Sequence, residues 1–324
     1  MTASPYRLFS VTALEVTRPT PGFIRVVFGG EDLERFGFGG LDQRIKIMLP
    51  NSRGEIPEIA NGDDWYRSWA ALPDEVRPPM RTYTPRDLER RPDGTRISVD
   101  FARHDRAPGP ASAWALSAAP GDRIALLGPD AEFAGPNRAV GWIPPAGATR
   151  FLIVGDETAI PAMAGIIASL GAADRARVIA EVAHARDAEL LAADALPHRD
   201  RIDVEVLERR ETDPPGQAMA RAVRELREIF PGGPHIRHGG GRTGPDAELR
   251  DVDVDREILW EVPGLDEATG APLAQDERQS PGYAWLAGEA GAIKTIRRHL
   301  VGDRGIDRRS VAFMGYWRTG RAEN

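Results

Sequence analysis

A short polar segment, residues 81–86, reads Arg-Thr-Tyr-Thr-Pro-Arg and holds the residue types with the clearest chemical use in this chain. Alternate side chains of a β-strand share a face, so we expect Arg81 and Tyr83 to point one way. Thr82 and Thr84 would then point the other way. A guanidinium can bind phosphate, an aromatic ring can lie along a flat heterocycle, and hydroxyl groups can reach ring nitrogens. A flavin nucleotide needs these groups, although an exposed strand with solvated arginines would contain the same residues.

A second candidate segment follows a predicted strand, Arg96–Ala102, and includes His104 and the turn Gly109-Pro110. The turn predicts a helix that begins near Ala111–Ser112. The first backbone N–H groups of a helix are unpaired and attract anions, so a diphosphate would fit there. The alternative is that Gly-Pro simply starts a helix whose Trp114 packs into the core.

A third segment, Gly155-Asp-Glu-Thr-Ala-Ile-Pro161, follows a predicted parallel strand. Ligands of open α/β sheets bind beyond the carboxyl ends of the strands. Asp156 and Glu157 stand where a phosphate-binding loop would have glycines. They would repel a diphosphate, unless they orient a nicotinamide amide instead. A helix-capping function for this Asp-Glu-Thr cluster is an equally simple explanation.

The composition excludes several classes of protein. The 324 residues include no cysteine, so disulfides, iron–sulfur clusters and thiol relays are excluded. A net charge of −7 argues against general nucleic-acid binding. No signal peptide or apolar stretch of about 20 residues is visible, so we expect no membrane insertion and a cytoplasmic location. Any redox function must then use an organic cofactor or a metal without thiolate ligands.

Arginine supplies nearly all of the positive charge, because only Lys46 and Lys294 among the 42 basic residues are lysines. In a chain that uses arginine almost everywhere, two lysines are candidates for a specific function. Chance retention explains them equally well, since surface charges are often interchangeable.

The elements that must position these segments fall into two groups, and we predict an α+β protein of two domains, residues 1–145 and 146–324. Short alternating runs in the first group predict a closed, six-stranded antiparallel β-barrel. The predicted strands are Arg7–Val16, Gly22–Phe28, Gln43–Leu49, Arg81–Pro85, Arg96–Ala102 and Asp122–Leu127. A linker rich in Gly and Pro, Gly141–Ala148, follows.

Strands and helices alternate in the second group, which predicts an α/β, doubly wound parallel sheet. The predicted strands are Phe151–Val154, Arg177–Ala183, Ile202–Leu207, Tyr283–Ala287 and Ser310–Met314. The predicted helices are Ala159–Leu170, Met219–Ile229 and Ala290–Leu300. Residues 231–281 lack periodicity and are interpreted as a loop-rich insertion, with a short helix near Arg256–Trp260.

Five motifs in this order resemble the siderophore-interacting proteins, which are flavin-dependent ferric-siderophore reductases of the ferredoxin reductase superfamily. The motifs are Arg81-Thr-Tyr-Thr-Pro-Arg86, Gly109-Pro-Ala-Ser-Ala-Trp-Ala115, Gly155-Asp-Glu-Thr-Ala-Ile-Pro-Ala162, Ala287-Gly-Glu-Ala-Gly-Ala292 and Gly315-Tyr-Trp-Arg-Thr-Gly320. The resemblance extends from about Tyr6 to Gly320. It implies FAD in the barrel domain and electrons from NADH, NADPH or ferredoxin in the α/β domain.

The resemblance also implies site residues. FAD would be bound by Arg81, Thr82, Tyr83, Thr84, Asp100, Phe101, Ala102, His104, Pro110, Ala111 and Ser112. Asp156, Glu157 and Thr158 would border the nicotinamide, and Tyr316, Trp317 and Arg318 the opposite approach to the flavin. Lys46, Lys294 and Arg278 would attract an anionic ferric siderophore. No residue is implied as a metal ligand or as an acid–base catalyst, because electrons pass through the flavin.

Two other functions remain open from the sequence. A general ferredoxin-NADP-type or flavin reductase would share the barrel and the Arg-x-Tyr-Thr strand. It would be expected to have a glycine-rich loop in place of Asp156-Glu157. A siderophore-binding protein without turnover is the alternative from a different class, and it would be colourless.

Overall fold

The structure is a computed structural model of the chain. It describes residues 4–62, 64–104, 109–191, 200–210, 212–232, 260–266, 269, 271–273 and 280–320. Contacts divide the chain into two compact units, one mainly Met1–Gly141 and the other mainly Trp142–Asp266 and Pro272–Arg321. Arg278, a predicted substrate residue, lies outside the described residues, as does most of the predicted insertion.

The first unit is built on an antiparallel sheet of seven strands. They are β1 (Tyr6–Thr20), β2 (Phe23–Gly29), β3 (Ile45–Met48), β4 (Met80–Tyr83), β5 (Pro85–Arg91), β6 (Gly94–Ala102) and β7 (Arg123–Pro129). Their order is β4-β3-β7-β1-β2-β6-β5. Alternating apolar side chains such as Phe9, Val26, Ile47 and Leu126 form the core on one face of this sheet. The predicted antiparallel architecture is confirmed.

The prediction of six strands in a closed barrel was wrong, because the sheet has seven strands and curls into a half-barrel. The strand that the sequence did not reveal is β5, which pairs with β6 at one end of the sheet. Its sequence, Pro-Arg-Asp-Leu-Glu-Arg-Arg, has few of the apolar residues that mark a strand. Charged side chains suit an edge strand because they discourage pairing with other chains.

Two helices complete the first unit. The first, α1 (Trp65–Ala70), lies in the long segment between β3 and β4, for which the sequence predicted no helix. The second, α2 (Pro110–Ser117), follows β6 and begins one residue before the predicted Ala111. Trp114 of α2 packs against the core of the sheet. This packing is what we expected if Gly109-Pro110 simply starts the helix.

The second unit contains a six-stranded sheet with the order β10-β9-β8-β12-β13-β11. The strands are β8 (Arg150–Asp156), β9 (Arg175–Val182), β10 (Ile202–Glu208), β11 (Trp260–Glu261), β12 (Gly282–Glu289) and β13 (Val311–Trp317). The five longer strands are parallel, as predicted. The short β11 pairs antiparallel with β13, so the sheet is mixed. Trp260 therefore begins a strand where the sequence suggested the end of a short helix.

Helices cover both faces of this sheet. They are α3 (Ile160–Ser169), α4 (Gln217–Glu225) and α5 (Ala290–Arg298). The last two pack together on the face that carries Leu152 and Val154. The opposite face carries Gly155, where an added Cβ would lie 2.6 Å from Cβ of Ala159, at the start of α3. None of the helices within the described residues is both long and apolar enough to span a lipid bilayer.

Candidate functional site

The strand β4 presents its side chains on alternate faces of the first sheet. Tyr83 packs against the core, with its ring centroid 4.8 Å from that of Phe101. Burial raises the pKa of the Tyr83 phenol above its ordinary value, and the Arg81 guanidinium opposes this shift. Arg81 is half-buried, and its Nη1 donates to the carbonyl of Met80 at 2.8 Å. Thr84 follows the strand and is buried.

Thr82 lies opposite Lys46 of β3, on the other face of the strand pair. The Lys46 ammonium donates a hydrogen bond of 2.6 Å to the Thr82 hydroxyl. This contact orients the lysine beside β4. The predicted alternation of Arg81 and Tyr83 against Thr82 agrees with this register.

The beginning of α2 has the features of an anion site. Gly109 is the N-cap residue, no side chain caps the helix, and Pro110 occupies the first turn. The Ser112 hydroxyl accepts a hydrogen bond of 3.0 Å from the backbone N–H of His104, which ties the end of β6 to the helix. Among the residues that the structure describes, no atom lies within 4 Å of a Cβ added at Gly109.

The end of β6 is buried. Phe101 is fully buried and Ala102 nearly so. The Asp100 carboxylate accepts two hydrogen bonds from the Arg25 guanidinium, at 2.6 and 2.8 Å. Arg25 thus neutralises this charge, and a direct contact of Asp100 with a cofactor stays a prediction.

These residues fit a flavin dinucleotide. The helix α2 offers backbone N–H groups without a capping side chain, which suits a diphosphate. Tyr83 is fixed against Phe101 and offers a planar surface. Arg81 supplies a cation on the same strand. The uncapped beginning of α2 and the packing of Tyr83 on Phe101 therefore support FAD in the first unit, in addition to the sequence motifs.

In the second unit, one buried carboxylate joins three of the sequence motifs. The Asp156 carboxylate accepts hydrogen bonds from the backbone N–H and the hydroxyl of Thr158, at 3.0 and 2.5 Å. It also accepts from the backbone N–H of Glu289 and from Nε1 of Trp317, both at 2.7 Å. The ends of β8, β12 and β13 are thus held at a single side chain.

The Asp156 carboxyl is fully buried and close to a second acid. Burial, followed by the neighbouring Glu157 charge, raises its pKa to about 7. The hydrogen bonds from Thr158, Trp317 and Glu289 oppose this shift. Asp156 is therefore a carboxyl group that exchanges its proton near neutral pH, within a fixed set of donors.

Glu157 and Glu181 share one arginine. The Arg209 guanidinium donates to both oxygens of Glu157, at 2.6 and 2.9 Å, and to Glu181 at 3.3 Å. Glu181, which is fully buried, also accepts from the backbone N–H groups of Gly216 and Met219 at the start of α4. These partners raise the pKa of Arg209 above its ordinary value, so the guanidinium stays charged.

The remaining predicted residues of this unit lie on β13 and α5. Tyr316 stacks on Trp260, with ring centroids 6.1 Å apart, and is half-buried. Arg318 follows the strand directly and is also half-buried. Lys294 lies in the middle of α5 and is partly exposed. Hydrogen bonds to Asp156 bring Thr158 and Trp317 together.

Sequence reasoning missed Arg209, Glu181 and Arg25. The first two lie at the carboxyl ends of neighbouring parallel strands, and such ends meet at one edge of a sheet. Their position at the predicted strand ends could have identified Arg209 and Glu181 as candidates from the sequence. Arg25 pairs with Asp100 across β2 and β6. The sequence does not show which residues of β2 and β6 lie opposite each other, so it could not identify Arg25 as the partner of Asp100.

Comparison with known proteins agrees with this architecture. A family model described as a siderophore-interacting FAD-binding domain matches residues 12–133, and one described as siderophore-interacting protein matches residues 148–320. An NADPH-dependent ferric-chelate reductase of Escherichia coli is 33% identical over 160 residues, 48% of this chain and 55% of that protein.

Solved structures show the same fold. A siderophore utilization protein from T. fusca has a TM-score of 0.66 at 24% identity, with 99% of this chain and 97% of that chain covered. A ferredoxin reductase of carbazole 1,9a-dioxygenase has a TM-score of 0.53 at 15% identity, with 98% and 71% covered. The second likeness shows a ferredoxin reductase-like fold. The family models cover both units, and this chain belongs to the siderophore-interacting protein family.

Proposed function

We propose that this protein is an FAD-dependent reductase of ferric siderophores that takes electrons from NADH, NADPH or ferredoxin and releases iron as iron(II). The observation that carries the proposal is the family match along both units. The name of the Escherichia coli relative, a ferric-chelate reductase, supports the type of reaction.

The first unit would hold the cofactor. Arg81 would bind a phosphate, and Tyr83, fixed by Phe101, would support the ring system. The first N–H groups of α2 would bind the diphosphate, beside Ser112 and His104. Bound FAD would supply the electrons for reduction of iron(III).

The protein would contribute position and charge. Hard oxygen ligands favour iron(III) over iron(II), so reduction weakens the hold of a siderophore on its metal. No protein side chain needs to ligate the iron. Lys46 and Lys294 would attract an anionic chelate, with Arg278 as the third cation that the family resemblance suggests.

The test uses the full chain purified with its flavin. We expect one noncovalent FAD per chain, measured by absorbance after denaturation. Light-driven reduction of the flavin under anaerobic conditions, with a sacrificial tertiary amine as the electron source, removes the need for any natural donor. Addition of a ferric siderophore should then reoxidise the flavin and form iron(II), which a chromogenic iron(II) chelator detects.

The other outcomes distinguish the alternatives. A colourless protein that binds ferric siderophore unchanged would be a binding protein. A yellow protein whose reduced flavin transfers electrons to free flavin or ferredoxin, but not to ferric chelates, would be a general reductase. Either result would contradict the proposed function.

A further inference from the structure

At the carboxyl edge of the second sheet, the turn before α3 and the beginnings of α4 and α5 donate backbone N–H groups to carboxylates of the same chain. Asp156 accepts from Thr158 in the turn that leads into α3. Glu181 accepts from Gly216 and Met219 at the start of α4, at 2.7 and 3.0 Å. The beginning of α5 is capped in the same way, by Glu289.

This arrangement disfavours a phosphate at the strand ends. Helix N-termini bind phosphates through their first backbone N–H groups. Here some of those N–H groups already donate hydrogen bonds to carboxylates of the same chain. These carboxylates are Asp156, Glu181 and Glu289, and Glu157 lies next to Asp156 in the chain. Arg209 pairs with two of these acids, Glu157 and Glu181. A nucleotide diphosphate would meet negative charge at this edge.

A cleft at the beginnings of α4 and α5 supplies positive charge close to this edge. It has a volume of about 410 Å³ and lies beside the tight packing of Gly216 on Ala292. Its polar lining includes Gln217, Arg221 and Arg224. No lining residue of this cleft is acidic.

The two arginines of the cleft have no partner within the residues that the structure describes. Both are exposed, and they lie three residues apart on α4. At this spacing two side chains are neighbours on the same helix face, so their like charges repel. An anion between them would relieve that repulsion, and guanidinium groups bind phosphate oxygens in pairs.

We propose that this cleft, through Arg221 and Arg224, binds a phosphate group of the nicotinamide dinucleotide donor. The inference rests on the proposed function only in identifying the ligand as an electron donor. The phosphate is either the 2′-phosphate of NADPH or the diphosphate that NADH and NADPH share. The chemistry of recognition is the same for both.

The experiment measures binding of oxidised dinucleotides to the oxidised holoprotein by titration calorimetry, so no electron transfer is involved. The variant is Arg221→Ala with Arg224→Ala. The charge-matched control is Arg175→Ala with Arg186→Ala, which removes two exposed arginines elsewhere in the same unit. Circular dichroism and FAD content verify the fold of both variants.

We expect the cleft variant to raise the Kd for NADP⁺ by about 10-fold or more, and the control to change it by less than about 2-fold. If only NADP⁺ is affected, the ligand group is the 2′-phosphate. If NAD⁺ is weakened equally, it is the diphosphate. Unchanged affinity for both dinucleotides, equal losses in the control variant, or no binding to the wild type would overturn the proposal.

Failure of this proposal is separable from failure of the proposed function. Light-reduced holoprotein would still reduce a ferric siderophore if only the nucleotide site were wrong. The cleft variant should retain that activity at the wild-type rate.

Discussion

At the scale of a single residue, the buried Asp156 carboxyl accepts hydrogen bonds from four donors, and its raised pKa makes the stability of the fold depend on pH. The folded protein binds the Asp156 proton more tightly than the unfolded chain does, because the pKa is raised to about 7 from 3.8. The stability gained from this proton is present below the unfolded pKa and is lost as the pH rises through the folded pKa.

We therefore expect the melting temperature of wild type to fall between pH 5 and pH 8 more steeply than that of Asp156→Asn. An asparagine carbonyl can still accept from Glu289 and Trp317, but the group no longer titrates. Thermal unfolding followed by tryptophan fluorescence over this range measures the difference. Parallel curves for the two proteins would show that Asp156 does not exchange its proton in this window.

Arg81 is the predicted phosphate-binding residue of the proposed FAD site. Replacing Arg81 with alanine should weaken FAD retention by about 2 kcal/mol, the magnitude of a lost charge-assisted hydrogen bond. The matched control is Arg91→Ala on β5, the next strand along the chain, where the exposed arginine pairs with Glu89. Flavin absorbance per chain and the dissociation constant of FAD are the measurements. Full FAD occupancy with unchanged affinity in Arg81→Ala would remove Arg81 from the site.

At the scale of elements, the carboxyl ends of β8, β12 and β13 are joined at one point that has no space for a side chain. Gly288 has φ of 146°, and an added Cβ would lie 2.6 Å from Oδ2 of Asp156. The register between β12 and β13 shifts there, which turns the Glu289 N–H toward the carboxylate. A glycine is required because the conformation and the close approach both exclude Cβ.

Gly288→Ala should lower the free energy of unfolding by about 2 to 4 kcal/mol, through backbone strain and collision with Asp156. Gly302→Ala is the matched control, because its φ is ordinary and an added Cβ would meet no atom within 4 Å. Denaturant unfolding of both variants measures the contrast. Equal stabilities would mean that the strand ends adapt, and that Asp156 does not depend on Gly288.

The elements differ in how well the sequence predicted them. Strands with alternating or continuous apolar residues, such as β6 and β8, were predictable because burial determines their pattern. The charged edge strand β5 carries little burial signal and was missed. The contacts Arg209–Glu157 and Arg25–Asp100 were not predictable, because they depend on which strands become neighbours. The motif residues were found, but the function of Asp156 as a common acceptor required the fold.

At the scale of the whole molecule, the protein carries a net charge of −7, so an anionic ferric chelate is repelled on average. Local positive charge must overcome this field near the site. Lys46 lies in the first unit, bonded to Thr82, and Lys294 lies on α5 of the second. Screening over a Debye length of about 10 Å at 0.1 M salt lets nearby lysines dominate at short range.

Lys46→Ala together with Lys294→Ala should lower kcat/KM for an anionic siderophore by about 10-fold at low salt, and by less at high salt. FAD content should not change. Arg90→Ala with Arg175→Ala gives the same change in net charge through one exposed arginine in each unit, and should have little effect. The single variants complete a double-mutant cycle. Additive losses in this cycle would mean that the two lysines act independently of each other. Equal losses with a neutral chelate, or no dependence on salt, would show that the lysines do not attract the substrate by charge.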